Sequence, residues 1–528
     1  MSIALLLLLV LPLIHMVTLP RLFKRAGLTA WHGFVPGLNY WSWLSLLKRP
    51  KHWWIGLIFP GPNLIMFTIL HVETGIAFGK RSTAQQWLMG ALPWVGMVTL
   101  AIGGQDAYVG PRNWEGKKKG MAREWSEAIL WATVVASLLR GYVFEAFMIP
   151  TASMEDSMLV GDYLVVSKMS YGPKVTEVPL SVPFVHNALP GSGLRSSYLE
   201  WVELPYMRLP GFGDVDRYDA VVFNFPNGDT VVVDTYLAGH DYHALLRQRA
   251  IGFAGGDVVA YEADKAKFNA MARKDWSRSH GIKTRPVGKK EHYVKRCVGL
   301  PGEDLSIVNR ELVIDGEVVP SPPGLQFNYL VRLKREADLR AIRERFGLTD
   351  IDIQGKGPGG TYFMALREDE AATLMDQGLV AEVQPYDPTS RRGTLDMYPN
   401  TNRFDFASWD LDNYGPIHLP AEGETLPLTP RNVALYKRVI MAYEGHDMRV
   451  EGDDVYIDGQ PATEYTFEQG YYWLMGDNRH SSADSRYWGF VPEDHVVGRA
   501  AFTWFSKMNE AQHGESGIRW DRMFKPVR

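Results

Sequence analysis

The sequence predicts a set of N-terminal transmembrane helices followed by a mainly antiparallel β domain that carries an α+β insertion. Three observations lead there. The 528 residues divide by charge: residues 1–150 hold 14 Lys+Arg against 6 Asp+Glu, net +8, and residues 151–528 hold 42 against 54, net −12. A membrane-embedded front and an acidic aqueous back produce that asymmetry. Long apolar runs are concentrated in the first 150 residues, whereas short β-branched runs bounded by Gly, Pro and Asp recur beyond them. Two or three folding units fit the length. Hydrophobic residues at 46% and charged residues at 22% exclude a disordered, collagen-like or coiled-coil chain. The acidic balance argues against nucleic acid, which needs a clustered basic face. The single cysteine, Cys297, allows no internal disulfide and reads as a small buried hydrophobe.

The first apolar run, Ile3–Leu19, is about long enough to span a bilayer. No basic residue precedes it, and Arg21, Lys24 and Arg25 follow it, as behind a retained anchor rather than a cleaved leader. Trp53–Val72, Trp87–Gly103 and Trp125–Val143 are further candidates. The first of these contains Pro60-Gly61-Pro62 and reads as broken or re-entrant. Arg21, Lys24, Arg25, Lys48, Arg49 and Lys51 in one loop, and Arg112, Lys117, Lys118, Lys119 and Arg123 in another, assign both loops to the cytoplasm. Four crossings then put everything after residue 150 on the outer side. Trp41, Trp43, Trp53, Trp54, Trp114 and Trp125 fit interfacial anchoring and simple packing equally well. The expected divisions are a membrane domain over 1–124 with about three apolar segments, an anchor over 125–149 and an extracytoplasmic β domain over 150–528.

Strands are predicted at Tyr163–Val166, Ala220–Phe225, Thr230–Val233, Tyr293–Val298 and Leu312–Ile314. Residues 172–215 and 318–324 read as long Pro- and Gly-rich loops. Leu333–Phe346 and Glu368–Gln377 read as helices within an insertion over 325–430. A weak internal repeat links Tyr293-Val294-Lys295-Arg296, followed by Ile314-Asp315-Gly316, with Tyr436-Lys437-Arg438, followed by Ile457-Asp458-Gly459. Each copy predicts a strand leading to a hairpin with an Asp-Gly turn.

Ser153 stands a few residues beyond the last apolar segment, in Pro150-Thr151-Ala152-Ser153-Met154. A nucleophilic serine needs a base. The chain has no Gly-x-Ser-x-Gly elbow and no His-Glu-x-x-His. A lysine serves when burial lowers its pKa. Lys295, flanked by Tyr293, Val294, Cys297 and Val298, suits that need, although period alone does not separate it from a surface lysine. Lys437 is a rival in a similar setting. A Ser153–His480–Asp477 triad is a weaker alternative, because its carboxylate and imidazole are so close in sequence. Ser153 and Ser482 could each be plain turn or capping serines.

Pro150-Thr151-Ala152-Ser153-Met154 with Gly161-Asp162, Tyr293-Val294-Lys295-Arg296-Cys297-Val298-Gly299-Leu300-Pro301-Gly302-Glu303, and Gly476-Asp477-Asn478-Arg479-His480-Ser481-Ser482-Ala483-Asp484-Ser485-Arg486 together resemble the bacterial type I signal peptidases. Arg217-Tyr218-Asp219 before the strand at 220 matches as well, with Tyr218 where the family usually has glycine. The resemblance spans about half the chain. It implies a signal-peptidase-like β fold and a membrane-bound serine endopeptidase with a Ser/Lys dyad that removes signal peptides from exported preproteins. It makes Ser153 the nucleophile and Lys295 the general base. Thr151 and the Ser153 N–H would form the oxyanion hole, Ser482 would orient the lysine amine, and Asp484 and Arg486 would be a supporting ion pair. It implies no metal or organic cofactor. Its implied partners are secretory preproteins with small residues before the cut, the lipid bilayer and the secretion translocon. The implied location is the inner membrane, multi-pass, with the catalytic domain on the periplasmic side. An inactive membrane scaffold retaining the fold, or a self-cleaving Ser/Lys protein, would leave similar traces in the sequence.

Overall fold

Prolines and glycines divide the apolar stretch from Trp53 to Gly103 into short helices. A computed structural model describes residues 3–103, 106–112, 120–192, 194–234, 236–336, 338–357, 360–392, 394–452, 454–508 and 516–527. It divides into two units, Met1–Phe144 with Pro173–Leu209 and Glu145–Gly172 with Pro210–Arg528.

In the first unit the helices are Ile3–Arg25, Leu38–Leu46, Trp53–Ile58, Pro62–Ala77, Thr83–Ala91, Pro93–Ile102 and Met121–Leu138. The Pro60-Gly61-Pro62 break falls where the sequence indicates: Gly61 takes φ +92 and Pro62 opens the next helix. Pro93 opens a new helix in the same way and divides the Trp87–Gly103 candidate. The Pro62–Ala77 helix, at 16 residues, covers about 24 Å against the roughly 30 Å of a hydrocarbon core. Among the described residues no helix is long and apolar enough to cross a membrane. The four expected crossings are therefore not supported among the described residues: the Trp53–Val72 and Trp87–Gly103 candidates are each divided at a proline into helices too short to span. Trp43 is fully buried with Met66, Phe67 and Leu70 and donates to Thr74 Oγ1 at 2.7 Å, so its role is packing. Trp41 and Trp125 are exposed. Trp114, Lys117, Lys118 and Lys119 lie outside the described residues, as does the side chain of Arg123.

The second unit is built on a nine-stranded sheet whose main path runs Phe144–Met148, Asp162–Ser167, Val496–Met508, Ala220–Asn224, His292–Gly299, Tyr471–Met475, Val491–Pro492. Ala220–Asn224 is buried along its whole length, as an almost continuous apolar run in a central strand should be. It pairs antiparallel with His292–Gly299 on one side and Val496–Met508 on the other. The predicted strands are present as Asp162–Ser167, Ala220–Asn224, Thr230–Val232, His292–Gly299 and Glu311–Ile314.

Both Asp-Gly turns form. Asp315 and Gly316 take φ +51 and +83, and Asp458 and Gly459 take +51 and +78, the paired positive values that a two-residue hairpin of this twist requires. The repeat extends no further. Tyr436-Lys437-Arg438 ends a helix, Pro430–Arg438, rather than a strand. Thr429 caps that helix by accepting the Asn432 N–H, Pro430 occupies its first turn, and Leu435 and Tyr436 turn inward.

The insertion contains a four-stranded sheet in the order Ile353–Lys356, Thr361–Leu366, Phe327–Leu333, Val380–Pro385. Helices Asp338–Phe346 and Glu368–Asp376 help to enclose a core of Val331, Ile342, Met364, Leu366 and Leu374. The first helix starts later than predicted, because Leu333 still belongs to a strand and the Asp338 carboxylate holds the turn by accepting the Arg335 N–H at 3.1 Å. Trp409, Tyr414 and Ile417, further along, pack instead with Tyr471 and Trp473 in the main core. Sequence reasoning missed three helices, Tyr242–Phe253, Val258–Ala263 and Lys265–Ser279, although Asp241, Asp257 and Asp264 cap them.

Thr429→Ala is expected to destabilise the Pro430–Arg438 helix by about 1 kcal/mol. Amide exchange across 432–438 should then quicken by roughly fivefold; unchanged exchange would mean that the cap contributes nothing.

Candidate active site

A short loop is pinned at both ends before it can present its serine. The Gly161 N–H donates to Ile149 O at 2.9 Å and the Ile149 N–H to Asp162 O at 2.8 Å. Gly161, at φ +87, approaches the neighbouring strand so closely that a Cβ would stand 2.0 Å from Lys507 O. Only glycine fits there. Asp162 is buried on Arg522 at 2.7 Å and accepts from Ser506 Oγ at 2.6 Å. Met154 and Met158 point into a core with Leu164 and Ala220. Between these anchors Ala152–Met154 makes a single 3-10 turn, with Ser153 half-buried at its centre.

Lys295 comes from the centre of His292–Gly299, opposite Val221. It is 3% exposed, and its amine donates to Ser153 Oγ in a short contact. Burial lowers the lysine pKa to about 8, with the Asp484 and Asp477 carboxylates pulling it back up. The neutral amine is therefore far more accessible near neutral pH than in an ordinary lysine.

The nearby charges are paired among themselves. Arg296 grips Asp477 through two bonds of 2.7 and 2.6 Å and donates to Tyr218 O at 2.7 Å. Tyr218 takes φ +71, a left-handed conformation that glycine adopts without strain. Arg486 holds Asp484 bidentately at 2.9 and 2.8 Å, with both side chains fully buried. Burial pushes the Asp484 carboxyl up, but the Arg486 guanidinium more than offsets this and holds it below the usual range. The Gly476 N–H donates to the same carboxylate at 3.1 Å.

Gly476 and Asn478 carry this floor to the serine. The Asn478 N–H donates to Ser153 O at 3.2 Å. A Cβ on Gly476 would lie 2.4 Å from that oxygen and 2.2 Å from Ser482 Oγ. Sequence reasoning quoted both residues within a motif and gave them no role; the glycine was the available signal.

The remaining candidates are placed unevenly. Thr151 is exposed just before the 3-10 turn and makes no capping bond. Ser482 is buried, and its hydroxyl donates to Ala483 O at 3.4 Å. Lys437 is exposed on its helix. The alternative triad is not assembled: His480 binds Asp412 Oδ1 at 2.7 Å and accepts the Asn328 N–H at 3.1 Å, while Asp477 belongs to Arg296. Cys297 is buried, and burial raises its thiol pKa. Among the described residues no group of three or more His, Cys, Asp or Glu is arranged to hold a metal.

The sequence pattern described as "Signal peptidase, peptidase S26" matches residues 122–369 and 462–505, which include Ser153, Lys295, Gly476, Ser482, Asp484 and Arg486. A second pattern, a family of unknown function (DUF5684), matches residues 31–111. Signal peptidase I of Haemophilus influenzae is 41% identical over 408 residues, 77% of this chain and 76% of that one. Signal peptidase I of Helicobacter pylori is 20% identical over 403 residues, 75% of this chain and 89% of that one. The Buchnera aphidicola protein of the same name, from the Acyrthosiphon pisum strain, is 44% identical over 63 residues, 12% of this chain and 20% of that one.

Glu155, two residues past Ser153, was not singled out by sequence. It is 3% exposed, and burial, aided by Asp352, pushes its carboxyl up to about 8 from an ordinary 4.5. Between those two pH values the folded chain keeps a proton that the unfolded chain has released, so stability falls as pH rises through this window. Glu155→Gln should remove that part of the slope and gain most over the parent near pH 8. Parallel pH–stability curves for the two proteins would contradict this.

Proposed function

This chain belongs to the signal peptidase family, peptidase S26, and from that premise we propose that it is a membrane-anchored endopeptidase that cuts signal peptides from exported preproteins with a Ser153–Lys295 dyad. The observation that carries the reading is the hydrogen bond from the buried Lys295 amine to the Ser153 hydroxyl. In the proposed cycle Ser153 Oγ attacks the scissile carbonyl as the neutral amine of Lys295 takes its proton. Lys295 then gives that proton to the leaving amine, and an ester to Ser153 remains. Water, deprotonated by the same amine, hydrolyses the ester and restores both groups.

The Ser153 N–H and the Thr151 hydroxyl are the proposed oxyanion donors; one such donor contributes about 10²–10³ in rate. Ser482, Asp484 and Arg486 support the floor beneath the dyad. The substrate is proposed to lie extended, with small side chains at alternate positions before the cut, since alternate side chains of a strand share one face.

Anchoring is proposed through the apolar segments of residues 1–149, with 150–528 outside the inner membrane, in contact with the bilayer and receiving preproteins from the translocon. The charge split and the basic residues behind Ile3–Leu19 support that orientation.

Ser153→Ala and Lys295→Ala should each abolish cleavage of a secretory precursor, while Lys437→Ala should leave it intact. Equal loss at Lys295 and Lys437, or full activity without Ser153, would refute the dyad. kcat/KM should rise with pH through an apparent pKa near 8, because the amine is a base only after losing its proton; a flat profile from pH 6 to 9 would contradict it. Gly476→Ala, which forces a methyl against the Ser153 carbonyl, should cut kcat/KM by about a hundredfold, and a loss below about threefold would show that the floor gives way without effect.

A further inference from the structure

The segment that enters the insertion packs on the loop that carries Ser153. Gly324 comes so near that a Cβ there would stand 2.9 Å from Asp156 Oδ2 and 3.1 Å from Ser157 Oγ. The Gln326 N–H donates to Asp477 O, and the Arg479 N–H donates back to Gln326 O, each at 2.9 Å. From further along the insertion, Arg367 reaches the same loop. Its Nη1 donates to Asp156 Oδ1 at 3.2 Å, while Nη2 meets Glu370 Oε1 at 2.8 Å and Nε meets Asp369 Oδ1 at 3.2 Å.

Asp156 lies three residues beyond Ser153 with φ +72, a left-handed conformation that a side chain disfavours, though aspartate less than most. An ion pair about one-third exposed contributes little by itself. This one differs in what it is attached to. Strained backbone persists where its surroundings over-determine it, and here Arg367 holds the side chain of the strained residue from a separate sheet-and-helix unit.

We propose that Arg367 is a positioning residue for the Ser153–Lys295 reaction: its pairing with Asp156 holds the strained turn in place and keeps the serine hydroxyl against the lysine amine. The insertion is then part of the catalytic alignment. The inference rests on the dyad reading above.

The test is steady-state cleavage of a secretory precursor by the full chain in detergent, with thermal unfolding followed for each variant. Arg367→Ala is expected to lower kcat about fivefold with KM changed less than about twofold, and Arg367→Lys to recover part of the loss. The decisive background is Asp156→Gly. Glycine takes φ +72 without strain, so Arg367→Ala made in that background should change kcat by less than about twofold. Should Asp156→Gly fail to fold, Asp156→Asn is the substitute: it removes the charge that Arg367 holds, and adding Arg367→Ala should again cost nothing further. Equal losses in the parent and altered backgrounds, an effect on KM alone, or no effect in the parent would each overturn the clamp while leaving the dyad standing. A parent chain inert on every precursor overturns both.

Discussion

An amine must be kept out of water without acquiring a counterion, and much of the architecture around the site answers to that constraint. Burial favours the neutral form of Lys295 only while nearby carboxylates are occupied elsewhere. Two acidic side chains, Asp484 and Asp477, offset part of the lowering that burial imposes on the lysine pKa. Each is claimed by an arginine through two hydrogen bonds, Asp477 by Arg296 and Asp484 by Arg486. The guanidiniums stay charged at any working pH and match a carboxylate with a fork of donors, so they outcompete a lysine for it. An Asp484 without its arginine would pull the Lys295 pKa further up and keep the amine protonated, leaving less of the neutral form. In the proposed dyad the arginines beside the site thus bear on the lysine's protonation through the carboxylates they hold.

The second requirement is close approach. The lysine strand is a central strand of the sheet, the serine sits on a loop, and a third segment must pass beneath both. Gly161 lets the loop close against the strand that ends near Met508, and Gly476 lets the floor reach the Ser153 carbonyl. Either position given a Cβ would separate groups that must stand within a hydrogen bond of each other. The proposed chemistry thus depends on two missing side chains as much as on two present ones.

Legibility in the sequence followed the physics. The β-branched run Ala220–Phe225 and the Asp-Gly turns at 315 and 458 were readable because their signals are local. The strand that holds Lys295 was readable too, although its burial was not, since one lysine in an apolar run has the same pattern on either face of a sheet. Tyr436-Lys437-Arg438 resembled the lysine strand over three residues, and the Thr429-Pro430 start that made it helical lay outside that window. The helices from Tyr242 to Ser279 were missed because their polar faces hide the apolar period, even with aspartate caps in place. The apolar segments of the front end read as membrane spans by composition, whereas Pro62 and Pro93 fix where the helices begin. The burial of Glu155 and the reach of Arg367 to Asp156 bring together residues far apart in sequence, which no local pattern records.

The central claim is that Lys295 is a base because it is dry. Its most direct test is the titration of the Lys295 amine in the folded full-length chain, followed by NMR of lysine labelled at Cε and assigned by loss of the signal in Lys295→Met. The account predicts a midpoint near 8. A midpoint near 10.5 for Lys295 would contradict it.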